Sequence, residues 1–130
     1  MLSPEQIEQF QTEGFLVLDP CLESAQVQSL AERVRQIADG DIDVPDGILE
    51  YEPGATGRCM ENLRKINGPS QHDAFFVDHA RQPPLLDAIV DLLGADIKLF
   101  GDQLFMKPPG GIEKTYHQDC PYFSIAPMAM

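Results

Sequence analysis

The chain has 130 residues, of which 43% are hydrophobic, and 21 acidic residues against 9 basic ones give a formal net charge of −12. That length and apolar share suit one globular domain with a modest core and speak against disorder. An acidic surface repels phosphate backbones and anionic lipid, so nucleic acid and membranes are poor partners, and no apolar run is long enough to span a bilayer.

In chain order, the first expected element is a short helix. Ser3 is placed to cap it, Pro4 opens it, Gln6 sits three residues after the cap, and Gly14 stops it. Phe15-Leu16-Val17-Leu18 reads as a short strand broken by Asp19-Pro20. A second helix is expected from Ser24 to Asp39. Val27, Leu30, Val34 and Ile37 form its core face, and Gly40 closes it. Residues 41–60 are acidic and rich in Gly and Pro, which predicts an exposed loop with a short strand at Gly47–Tyr51.

ENLRKI then reads as a strand. SQHDAFFVDHA and PPLLDAIVDLLG read as two helices, the second opened by Pro83-Pro84 and stopped by Gly94. His72 and His79 fall on roughly one face of the first of these, as surface or capping residues. DIKLFGDQLFMK predicts a strand pair, or one long strand broken at Gly101, and PPGGIEKT a loop. SIAPMAM reads as a strand cut in mid-course. Cys21, Cys59 and Cys120 are odd in number and form no CxxC pair, so free thiols are expected. MLSPEQIEQF has no basic start followed by an apolar stretch, and the expected compartment is the cytoplasm.

The chemistry-bearing stretch is TYHQDCPYF, Thr115 to Phe123. On a strand, alternate side chains share a face, so His117 and Asp119 would aim an imidazole and a carboxylate into one space. Those are two of the three ligands of the two-histidine, one-carboxylate triad that holds non-haem Fe(II). His-x-Asp alone is equally compatible with a hydrogen-bonded surface pair.

Taken with FGDQLFMKPPGG, LRKI and SPEQIEQFQTEGFLVL, the stretch YHQDCPYF resembles the phytanoyl-CoA dioxygenase family of Fe(II)- and 2-oxoglutarate-dependent oxygenases, over nearly the whole chain and in the family's order. The resemblance implies His117 and Asp119 as iron ligands. Lys65 and Gln103, with His117, would border the 2-oxoglutarate, and Tyr122 and Phe123 would wall the pocket. A buried dicarboxylate needs a cation and amide donors to offset its desolvation, which Lys65 and Gln103 would supply. Without the resemblance, a solvated strand-edge lysine and a solvent-facing glutamine are the simpler readings.

The implied reaction decarboxylates 2-oxoglutarate to succinate while O2 oxidises a small organic or acyl substrate. In the family a second histidine ligand and an arginine for the distal carboxylate lie downstream of the His-x-Asp pair. Here no histidine follows His117, and the sequence ends eleven residues after Asp119.

The expected fold is therefore α+β with a mainly β core: flanking helices over about 1–95, then the first strands of a double-stranded β-helix (jelly roll) over about 96–130, its barrel incomplete. The expectation is one partial domain, the N-terminal part of a longer dioxygenase, inactive by itself. Two other readings stay open. One is a non-enzymatic module that binds a dicarboxylate or another small ligand. The other is a subunit completed by a second chain through its open sheet edge.

Overall fold

The computed structural model describes residues 1–124 of the chain, and its two N-terminal helices begin and end where the sequence provides caps. Helix α1 spans Pro4–Glu13. The Gln6 amide donates to Ser3 Oγ at 3.3 Å and the Ser3 amide donates to Gln6 Oε1 at 2.9 Å, so the two residues satisfy each other's orphan donors. Gly14 stops the helix at φ 79°, a left-handed conformation that side chains disfavour. The Leu2 amide donates to Asp91 Oδ2 at 2.6 Å, which ties the N-terminus to a later helix.

The strand expected at Phe15–Leu18 is absent. A strand needs a neighbour to pair with, and this segment pairs with none among the described residues, leaving Phe15 and Val17 exposed.

Helix α2, Ser24–Asp39, matches its expected bounds, with Gly40 as its left-handed stop. It buries Val34, Ile37 and Ala38, whereas Val27, expected on the same face, is exposed. Strand β1, Leu49–Tyr51, and strand β2, Leu63–Asn67, pair antiparallel after a 3₁₀ turn at Met60–Asn62. Strand β3, Gln103–Phe105, joins the other side of β2, giving an open three-stranded antiparallel sheet in the order β1-β2-β3. The architecture is thus mixed, with helices beside one small sheet.

The sheet carries one irregularity that matters. Leu49 faces Ile66, Glu50 faces Lys65, but Tyr51 faces Leu63, so Arg64 is an extra residue in β2. A bulge of this kind lets residues three apart turn to the same side. Leu63 and Ile66 are both 0% exposed and form the centre of the core with Val34, Ile37, Ala38, Ile48 and Phe76.

The helix expected over SQHDAFFVDHA is two helices, α3 at Pro69–His72 and α4 at Ala74–Ala80. Asp73 breaks it. Its backbone is extended, and its carboxylate accepts the Phe75 amide at 3.0 Å, capping α4. Arg33 of α2 grips the same carboxylate with two hydrogen bonds, at 2.6 and 3.0 Å. His72 and His79 therefore sit on separate helices rather than on one face of one helix. Helix α5, Pro83–Leu93, follows as expected and is stopped by Gly94.

Only three residues of DIKLFGDQLFMK become strand. Leu99 and Phe100 are exposed and outside any strand pairing among the described residues, while Asp102 turns back to α3, accepting the Ser70 amide at 2.9 Å and the Ser70 hydroxyl at 2.8 Å. The expected strand at TYHQDCPYF is also absent: the segment is irregular to Gln118, and Asp119–Phe123 forms the short helix α6. Pro121 explains this. It lacks the amide that a strand ladder needs, but is tolerated in a first helical turn, where Asp119 is also favoured. The strand expected at SIAPMAM falls, from Ile125 onward, outside the described residues. No helix among the described residues is long and apolar enough to cross a membrane.

Two outcomes follow from this packing. Leu63→Ala removes a fully buried side chain from the centre of the core, and denaturant unfolding should show a loss of about 2–5 kcal/mol. Asp73 has its carboxyl held below the usual range, chiefly by the Arg33 hydrogen bonds. A depressed carboxyl stabilises the fold above its unfolded pKa, and that contribution is lost as pH falls through the folded value. The stability gap between the native protein and Asp73→Asn, about 1–2 kcal/mol at neutral pH, should therefore close below about pH 4.

Candidate functional site

Residues directly opposite one another across antiparallel strands share a face, as do alternate residues within a strand. By that rule one row runs Glu50–Lys65–Phe105 across the three strands, and a second row places Asn67 opposite Gln103. Ile66 and Leu104, between them, turn to the other side, Ile66 into the core and Leu104 against it. The bulge at Arg64 makes this division possible, because it allows Leu63 to join the core while Lys65 stays outside.

The structure thus brings Lys65 and Gln103 onto one polar face. The Lys65 side chain is only 16% exposed; its Nζ lies 3.5 Å from Glu50 Oε1 and 5.1 Å from the centre of the Phe105 ring. Asn67 Nδ2 donates to the same Glu50 oxygen at 2.6 Å. That hydrogen bond, aided by the charges of Lys65 and Arg64, holds the Glu50 carboxyl below its ordinary range against the opposing effect of partial burial. Gln103 is exposed beside them.

The route from this face to the His-Asp pair runs through the 108–114 loop. Lys114 Nζ lies 5.9 Å from the Phe105 ring centre, so one aromatic ring has two ammonium groups near it. Glu52, just beyond β1, fixes the loop: its Oε2 accepts the Ile112 amide at 3.3 Å and sits 4.0 Å from Arg64 Nη1. The loop approaches so closely that a Cβ on Gly111 would lie 3.0 Å from Glu52 Oε1 and 3.0 Å from the Pro108 carbonyl. Glu52 Oε1 is buried and has no hydrogen-bond partner among the described residues.

His117 Nδ1 lies 2.9 Å from the Thr115 carbonyl and its Nε2 lies 3.4 Å from Asp119 Oδ1. With Nδ1–H donating to the carbonyl, as ligating histidines commonly do, the Nε2 lone pair faces a carboxylate. In that tautomer both facing atoms are acceptors, a donor set that a divalent cation can take. The two atoms are close enough together that one ion could be held by both. The donor types suit a divalent metal, and both are open to solvent, His117 at 50% and Asp119 at 69% side-chain exposure. The residues therefore fit the iron that the sequence implies, as two of its ligands. Among the described residues no third His, Cys, Asp or Glu joins them.

Of the expected pocket walls, Phe123 packs edge-on against Tyr122 at 4.9 Å and Phe100 at 5.4 Å, while Tyr122 is largely exposed. No hydrogen bond or ion pair joins Lys65 or Gln103 to His117 or Asp119 among the described residues.

Residues 10–130 match the phytanoyl-CoA dioxygenase (PhyH) family. The chain belongs to that family. A relative from Stutzerimonas stutzeri bears the name "Probable alpha-ketoglutarate-dependent hypophosphite dioxygenase". It is 24% identical over 120 residues, covering 92% of this chain and 42% of the relative. The chain thus spans less than half the length of that relative. No solved structure matches it.

Glu50, Asn67, Phe105, Lys114 and Glu52, which lie around Lys65 or fix the loop beside it, were not among the residues the sequence pointed to. Strand alternation, Lys65-x-Asn67 and Gln103-x-Phe105, was the available signal for two of them. Glu50 and Lys114 become visible only once strand register and loop path are known.

Gly111→Ala should push the loop off Glu52, and Glu52→Ala should release it. In both variants the Ile112 amide should exchange with solvent at least about tenfold faster by NMR, with α2 amides unchanged.

Proposed function

We propose that the protein carrying this chain is an Fe(II)- and 2-oxoglutarate-dependent dioxygenase that oxidises a small organic or acyl substrate. The observation that carries the reading is His117 Nε2 facing the Asp119 carboxylate, with Nδ1 tied to a backbone carbonyl, in a chain of the phytanoyl-CoA dioxygenase family. A named 2-oxoglutarate-dependent relative supports the same chemistry. We read the chain as one partial domain of residues 1–130 and its open sheet as the beginning of the jelly roll. The free thiols of Cys21 and Cys59 favour a reducing cytoplasm.

In this reading His117 and Asp119 hold the iron, and the Thr115 carbonyl orients the imidazole so that Nε2 is the ligating atom. Lys65 provides the cation for a carboxylate of 2-oxoglutarate, and Gln103 an amide donor beside it. Phe105 keeps water from one side of Lys65, which strengthens the ion pair that Lys65 makes. Tyr122 and Phe123 wall the approach to the metal. Bound iron supplies the oxygen activation that couples 2-oxoglutarate decarboxylation to substrate oxidation. The 130-residue chain contributes two metal ligands, and its other histidines lie on α3 and α4, so residues 1–130 alone should not turn over.

Anaerobic titration of Fe(II) into the intact protein with 2-oxoglutarate should produce the weak visible charge-transfer band of the chelate. His117→Ala and Asp119→Ala should abolish it and lower succinate formation by at least about a hundredfold. Succinate production that survives both substitutions removes these residues from the metal site. Binding of 2-oxoglutarate without any succinate, at saturating Fe(II) and O2, identifies a dicarboxylate-binding module instead. Turnover by residues 1–130 alone would refute the two-ligand argument and bring forward a site completed by a second copy across the sheet edge.

A further inference from the structure

We propose that Glu50 sets the affinity of the site for 2-oxoglutarate by competing with the incoming carboxylate for Lys65; this rests on Lys65 being a co-substrate contact, as proposed above. Glu50 and Lys65 are direct cross-strand neighbours on the same face, and their charged groups are 3.5 Å apart. The lysine is the more buried partner, with 16% side-chain exposure against 48% for Glu50. An ammonium withdrawn from water needs an anion close by. In the ligand-free protein that anion is Glu50.

Two features make the competition persistent. Asn67 donates to the same Glu50 oxygen that faces Lys65, so the carboxylate is fixed in place rather than free to swing into solvent. Lys65 is held on its other side by the Phe105 ring, so it cannot easily follow a ligand away from Glu50. The nearby charges are Glu50, Lys65, the more distant Arg64 that also acts on Glu50, and Lys114 at the Phe105 ring. A ligand carboxylate that reaches Lys65 therefore either displaces Glu50 or lies next to it, and both outcomes weaken binding.

Glu50→Gln removes the charge but keeps a carbonyl oxygen to accept from Asn67, and at a half-exposed position it should leave the fold intact. Calorimetric titration of 2-oxoglutarate into the intact protein, metal-free and with Mn(II), is the direct readout. Glu50→Gln should bind 2-oxoglutarate roughly threefold more tightly. KM for 2-oxoglutarate should fall by the same factor with kcat unchanged. Lys65→Met should weaken binding at least about tenfold, and adding Glu50→Gln to Lys65→Met should give no gain, because the competition has lost its object.

A Glu50→Gln protein that binds 2-oxoglutarate equally or less tightly overturns the proposal, and shows instead that Glu50 merely orients Lys65. A gain that persists in the Lys65→Met background also overturns it, since a general electrostatic effect then suffices. If Lys65→Met leaves binding unchanged, the assignment of Lys65 to the co-substrate fails, and the role of Glu50 fails with it. A structural role for Glu50 cannot produce tighter binding that depends on Lys65.

Discussion

One extra residue in the central strand governs the rest of the molecule. With Arg64 bulged out, Leu63 and Ile66 both enter the core, although regular alternation would send them to opposite sides. Helix α2 then has two large apolar side chains to cover. The polar face of the sheet keeps Lys65, with Glu50 and Phe105 as its neighbours. A flat, regular β2 would have to sacrifice either a core contact or the position of the lysine.

The electrostatics of the site run against those of the chain. The protein is strongly acidic, with a formal charge of −12, yet its candidate site gathers two lysines around one exposed aromatic ring. Field strength at a surface is set by the nearest charges and by how little water screens them. Net charge keeps such a protein soluble and repels polyanions, but it does not forbid a small dianion where two ammonium groups converge. Glu50, 3.5 Å from the Lys65 ammonium, offsets part of that positive charge.

The helices were legible in the sequence because their caps are local. Ser3, Gln6, Gly14, Gly40, Pro83 and Gly94 act within one turn of the residues that encode them. Asp73 shows the limit of that logic. The apolar pattern continues through it, but its carboxylate is drawn to Arg33 forty residues away and splits the helix. The strands were less legible for the same reason. Phe15–Leu18 and the stretch before Asp102 have strand composition without a strand partner among the described residues, and composition alone cannot supply one. At the candidate site, type and spacing pointed to His117 and Asp119. Their meeting was expected from strand alternation and comes instead from the turn into α6 that Pro121 permits. Lys65 and Gln103 came from the family resemblance, and their common face from register.

Strand β3 is only three residues long, and a slip of one residue would exchange Gln103 and Phe105 for Leu104 on the polar face. Asp102 stands immediately before it, fastened to Ser70 through both carboxylate oxygens and by its own carbonyl to the Gly68 amide. These contacts set the register from the helical side, upstream of the pairing itself. The segment between α5 and Asp102 is thereby relieved of any duty to count residues. It can gain or lose length in evolution or by engineering, and the strand that follows still enters the sheet in phase.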